Sequence, residues 1–150
     1  QRCMVHYMRN ILCDVPRSRG KEVGNMLKAI FAQEDGDACR RKAAEIVEKL
    51  RETKLKSAAK VLESGIEEAL TYTCFPHEHW LKIRSNNGLE RMNREIRRRT
   101  NSVGVFPDGN SALMLVCARL RYVSSTDWGT KKYLNMEHLY TMEREAAAEF

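Results

Sequence analysis

Residues 37–72 read DACRRKAAEIVEKLRETKLKSAAKVLESGIEEALTY, and this stretch decides the fold. Ala43, Ile46, Val47 and Leu50 recur at three- and four-residue steps, and Leu55, Ala58, Ala59, Leu62, Ile66, Ala69 and Leu70 continue with the same period to about Tyr72. Such a repeat places the apolar side chains on one stripe of an α-helix. A helix from about Asp37 to Thr53, and its continuation to about Tyr72, are therefore predicted to belong to a helical bundle. The intervening charges alternate in sign, which reads as a solvated outer surface with a few helix-face ion pairs.

Upstream, Val23, Met26, Leu27, Ile30 and Phe31 repeat at helical steps between Ser18, the candidate N-cap, and the turn-forming Glu34-Asp35-Gly36-Asp37. Val5, Met8, Ile11 and Leu12 do the same over roughly Arg2 to Leu12. Downstream, Cys74-Phe75-Pro76 and the His77, His79, Trp80 stretch lead to Ser85, Asn86 and Asn87, any of which can cap a helix to about Arg99. A connection from Gly104 to Gly109 precedes a helix from Ala112 to about Tyr122, with Ser111 as its cap. Only Val103 to Phe106 is even weakly strand-like, so the predicted architecture is mainly α.

The 150 residues are 43% hydrophobic and 31% charged, which fits one folded globular domain rather than a disordered chain. The longest uninterrupted apolar run, Ala112 to Ala118, falls far short of the roughly eighteen residues a membrane helix needs, and no signal segment opens the chain. Neither a membrane protein nor a secreted precursor is expected. Cys3, Cys13, Cys39, Cys74 and Cys117 lack the dense spacing of a disulfide scaffold and read as reduced thiols of a cytosolic protein. Because the chain starts at Gln1, a piece of a longer polypeptide is expected.

Lys and Arg number 26 against 20 Asp and Glu, a formal charge of +6 that points toward a polyanionic partner. The excess sits in residues 1–33, with six basic and two acidic groups, and in residues 76–123, with nine and four. Residues 34–75, with eight and nine, read as a neutral bundle between them.

Within the second basic segment, Arg91, Arg94, Arg97, Arg98 and Arg99 fall in nine residues. At 100° per residue, Leu89, Met92 and Ile96 form one face, predicted to be buried, while Glu90, Arg94, Arg97 and Arg98 share a flank. These arginines repel one another in isolation, and phosphate contacts would offset that repulsion. Two readings of Glu90 stand side by side: an i,i+4 ion pair with Arg94 on a solvated face, or a metal ligand. A single Glu cannot build a two-metal phosphoryl-transfer site, which needs several converging carboxylates.

The block Asn87-Gly-Leu-Glu90-Arg-Met-Asn93-Arg-Glu-Ile-Arg-Arg-Arg-Thr100, followed by Val103-Gly-Val-Phe-Pro107, resembles the region around the final acidic residue of the Mutator-type transposases of bacterial insertion sequences, which are Asp-Asp-Glu recombinases. Cys3-Met-Val-His6 resembles that family's Cys-x-x-His element, and Tyr133-Leu-Asn-Met-Glu-His-Leu139 its usual ending. The resemblance implies that the chain is the C-terminal part of a ribonuclease H-like catalytic domain carrying an α-helical insertion. It implies that residues 1–13 end a core segment, 14–80 form the insertion, 81–123 hold the Glu-bearing helix and a following core helix, and 124–150 make a tail with a short helix. Glu90 would be the last catalytic carboxylate, binding Mg²⁺ or Mn²⁺ with two aspartates upstream of this chain. The partners implied are double-stranded DNA, as terminal inverted repeats and target, and further copies of the protein, in a bacterial cytoplasm close to the nucleoid.

Other residues are candidates with alternatives open. Cys3 and His6 invite zinc, but a structural zinc takes four ligands and a second close pair is present only as the distant His77 and His79, which favours a structural or DNA-proximal role. Trp80 either anchors the insertion or stacks on an unpaired base while His77, His79, Lys82 and Arg84 touch phosphate. Without its central strands, a ribonuclease H-like core would leave the Leu89/Met92/Ile96 and Leu113/Val116/Leu120 faces without their sheet.

Overall fold

The structure, a computed structural model, describes residues 1–130 and 134–148. Every regular element among them is helical, as the periodicity predicts. The chain divides into two compact units, Gln1–Ser85 with the last residues from Glu145, and Asn86–Arg144.

The first unit is built on four helices, α1 (Met4–Cys13), α2 (Gly20–Ile30), α3 (Gly36–Glu52) and α4 (Lys56–Leu70). The Tyr7 hydroxyl, near the start of α1, donates to the Leu62 carbonyl of α4, and the Arg2 amide donates to the Glu68 carbonyl at 2.9 Å. Hence α1 runs antiparallel to α4. Short connections make α2 antiparallel to α3 and α3 antiparallel to α4, which gives an up-down-up-down bundle. Arg19 donates to the Thr53 carbonyl at 3.2 Å and so ties the α1–α2 connection to the α3–α4 connection at one end.

The core is the predicted stripe: Val23, Leu27, Ile30, Ala43, Ile46, Val47, Leu50, Ala58, Ala59, Leu62, Ala69 and Leu70 are all buried. Removing each large aliphatic side chain from water stabilises the unit by about 1.5–3 kcal/mol. Tyr7 and Tyr72, which apolar periodicity alone did not select, are the largest fully buried side chains. Burial raises the Tyr7 phenol well above its ordinary value and pushes Tyr72 up to about 12.

Asp35 caps α3, accepting from the Ala38 amide at 2.7 Å. The other end of α3 closes in a Schellman pattern, with Lys54 N–H donating to the Arg51 carbonyl and Leu55 N–H to the Leu50 carbonyl. Lys54 occupies the left-handed position of that motif, at φ 61°, a conformation that costs a residue with a Cβ about 1–2 kcal/mol and is usually given to glycine. After α4 a 3₁₀ turn (Thr71–Cys74) leads to α5 (His77–Ile83).

The second unit begins with α6 (Asn87–Val103) and α7 (Gly109–Ser124), followed by the short α8 (Asp127–Thr130) and by α9 (Met136–Ala148), whose last residues group with the first unit. Gly104, at φ 79°, ends α6 in a conformation open chiefly to glycine.

Several expectations are corrected. Residues 103–106 form no strand: Val103 is the last residue of α6, and the rest lie in the connection. Ser18 does not cap α2, because a 3₁₀ turn (Arg17–Arg19) intervenes. Asp108, three residues ahead of Ser111, is the cap of α7, since an ionised carboxylate accepts the Ser111 amide (2.7 Å) better than a hydroxyl can. The Leu89/Met92/Ile96 face is not buried: α6 has no buried residue and Leu89 is 62% exposed. Leu113 and Leu120 on α7 are exposed as well. Tyr133, the first residue of the expected C-terminal ending, lies outside the described residues.

Candidate nucleic-acid interface and carboxylate site

Asn86 precedes α6, and its carbonyl accepts the Glu90 amide at 2.9 Å, so Glu90 stands in the first helical turn. There its negative charge meets the positive end of the helix dipole. Asn93, Arg94 and Arg97 follow at i+3, i+4 and i+7, which sets the four side chains in one stripe. Glu90 is half-buried, while Asn93, Arg94 and Arg97 are exposed.

The structure sorts the five arginines that stand together in sequence. The Arg91 guanidinium lies 5.3 Å from the centre of the Trp128 ring, a cation–π contact. Arg98 pairs with Glu95 at 3.2 Å, and Arg119 of α7 binds the same carboxylate at 2.6 Å. Arg119 and Arg98 together hold the Glu95 carboxyl below its ordinary range. Arg94, Arg97 and Arg99 make no ion pair among the described residues. Arg99, nine residues after Glu90, points half a turn away from it. What remains beside Glu90 is a pair of open guanidiniums rather than a block of five.

Glu95 and Arg119 were not singled out from sequence, yet they clamp α6 to α7. Their signal was only a carboxylate within an arginine run, and the partner stands 24 residues away. Arg119 also lies over the Tyr122 ring at 4.8 Å.

The remaining candidates belong to the first unit. Trp80 is 9% exposed, donates its indole N–H to the Phe75 carbonyl at 2.8 Å and meets Tyr72 edge-on at 5.3 Å. An indole held in this way has no open face for a base, so Trp80 is the packing anchor and not a stacking platform. His79 is buried too and offers no imidazole to phosphate. Arg84 spends a guanidinium N–H on the Phe31 carbonyl at 3.3 Å, while its own carbonyl accepts the Met4 amide at 2.9 Å. It therefore joins α5, α1 and the end of α2. Lys82 is exposed. Cys3 precedes α1 and accepts the Tyr7 amide on its carbonyl, and His6 is exposed one turn into the helix. Among the described residues no three His, Cys, Asp or Glu side chains gather as a metal site, at Cys3 and His6 or at Glu90.

A helix that carries a carboxylate and open guanidiniums on one face is an element suited to a protein that handles nucleic-acid phosphates. The chain belongs to the Mutator family of transposases, whose family model matches residues 1–129. It is 35% identical over 139 residues to the transposase for insertion sequence element IS1081 of Mycobacterium tuberculosis, covering 93% of this chain and 33% of that protein. It is 37% identical over 142 residues to the ISRM5 transposase of Rhizobium meliloti, covering 93% and 35%. With the IS406 transposase of Burkholderia multivorans it shares 39% identity over 139 residues, covering 90% and 35%. The chain thus spans about a third of the length of the curated relatives it matches. No solved structure matches it. No helix among the described residues is long and apolar enough to cross a membrane.

Proposed function

We propose that this chain supplies the last carboxylate and part of the DNA-contacting surface of a transposase that cleaves and joins DNA strands at the ends of an insertion sequence. The observation that carries the reading is the stripe on α6, where half-buried Glu90 shares one helix face with exposed Arg94 and Arg97 in a chain of the Mutator family. The guanidiniums suit phosphate oxygens, and the carboxylate suits a divalent cation held against them.

Mg²⁺ or Mn²⁺ needs several oxygen ligands, and a two-metal site needs carboxylates converging from different parts of the fold. The described residues provide Glu90 and no cluster around it, so this chain alone does not fit the metal. In this reading two aspartates outside the chain complete the set, within a ribonuclease H-like domain of a protein that assembles as a homo-oligomer on inverted-repeat and target DNA.

The test is strand cleavage of a duplex bearing the element's terminal repeat, in Mg²⁺. The full-length transposase is expected to cut, its Glu90→Gln variant to lose cleavage while keeping DNA binding, and the 150-residue chain to bind without cutting. Cleavage that survives Glu90→Gln overturns the catalytic assignment. Binding by the chain with no cleavage loss in that variant would favour a non-catalytic DNA-binding element instead.

A further inference from the structure

The fold of the bundle gathers an excess of positive charge at one of its ends. Residues 14–22 and 48–63 carry eight Lys and Arg against five Asp and Glu, and the Arg19 bond to Thr53 brings these two segments to one end. At the other end, where the Arg2 amide bonds the Glu68 carbonyl, Arg40 bonds Glu67 at 3.1 Å and Arg84 bonds the Phe31 carbonyl, residues 1–4, 28–41 and 67–84 carry six against six. Helix α3 spans 17 residues, so the two ends are about 25 Å apart. That is about three Debye lengths at physiological ionic strength, so the charges of the other end contribute little to the field at the basic one.

At the basic end Arg51 is taken up by Glu48 and Glu63, and Arg19 by Glu22 and Thr53. Arg17, Lys21, Lys49, Lys54, Lys56 and Lys60 are exposed and unpaired among the described residues. Lys54 stands at the tip of this end, in the left-handed position where glycine would be more comfortable.

We infer that this end of the bundle is a second DNA-docking surface, one that grips the duplex backbone through phosphates without reading sequence. The inference rests on the proposed function in that the polyanion is taken to be DNA. It assigns an interaction that the α6 stripe does not make. Flexible cationic side chains spread over two connections suit a row of phosphates, not a single defined ligand.

The 150-residue chain would be titrated with a fluorescent duplex of arbitrary sequence at salt concentrations spanning about 0.05–0.2 M. Lys54→Gly is expected to raise the melting temperature, because glycine suits its backbone, and yet to weaken binding. A combined Lys54→Gly, Lys56→Gln and Lys60→Gln variant should flatten the salt dependence by about 0.9 for each phosphate no longer neutralised, and weaken binding by up to about eightfold per phosphate near 0.1 M salt. Arg41→Gln, equal in charge to Lys54→Gly but placed toward the opposite end, should leave binding unchanged. The inference is overturned if the triple variant keeps the parent salt slope, if Arg41→Gln weakens binding as much as Lys54→Gly, or if the chain binds anionic vesicles and not the duplex. Arg94→Gln with Arg97→Gln separates the two surfaces: loss of binding there alone removes the bundle end, and loss at the bundle end alone removes the α6 stripe.

Discussion

Gly65 lies where α4 meets the Tyr7 ring. A Cβ built there would come within 2.8 Å of the ring carbon Cε2 and 2.8 Å of an Arg2 guanidinium nitrogen. The Arg2 side chain can swing away, but the ring is fixed by its hydroxyl bonds to the Val61 and Leu62 carbonyls. Gly65→Ala should therefore destabilise the chain by about 1–3 kcal/mol in denaturant melts, the usual range for an overpacked core. It should do so even though alanine in a helix interior is ordinarily favoured by about 1 kcal/mol. Tyr7 shows why some of the core escaped the sequence reading. Tyrosine scores as half polar in a periodic pattern, and only a partner 55 residues away, the Leu62 carbonyl, makes its burial favourable. Trp80 shows the opposite limit, since its neighbours in sequence favoured packing but left stacking open, and the Phe75 carbonyl and the Tyr72 ring fix its place.

Between elements, the Glu95–Arg119 pair ties α6 to α7. The folded Glu95 carboxyl is held below its unfolded value of about 4.3, so its contribution is present above that value and is lost as pH falls through the lower folded one. The Asp108 cap of α7 behaves the same way, because its hydrogen bonds to the Ser111 amide and hydroxyl favour the ionised form. Amide exchange in α6 and α7 is accordingly expected to stay constant from neutral pH to about pH 5 once corrected for intrinsic rates, and to quicken below about pH 4. Glu95→Gln should quicken it at neutral pH and remove much of that pH dependence; an unchanged profile in the variant would contradict the clamp. The helices themselves were legible from periodicity, including α6. The partner of its apolar face was not, because the spacing of apolar residues gives the direction of a face and not what lies against it.

At the scale of the whole molecule the two units differ in what holds them. The first encloses a contiguous core from Tyr7 to Trp80, whereas the second has Val123 as its buried apolar side chain among the described residues. Hydrogen exchange should therefore show strong protection in α3 and α4 and weak protection across α6 and α7 in the isolated chain. Uniform protection in a monomer would overturn that expectation.

The amino-acid sequence by itself determined the helices, the buried stripe of the bundle and the family, because apolar spacing and a contiguous motif are local properties of the chain. It also marked Glu90 and the arginines near it. Only the tertiary structure decided which arginines remain open, since it sets Arg91 over the distant Trp128 ring and joins Arg98 and Arg119 on the Glu95 carboxylate. The tertiary structure alone also brought residues 14–22 beside residues 48–63 and so made one end of the bundle basic. Charges add along a sequence without regard to place, but they act through distance, and folding sets the distances.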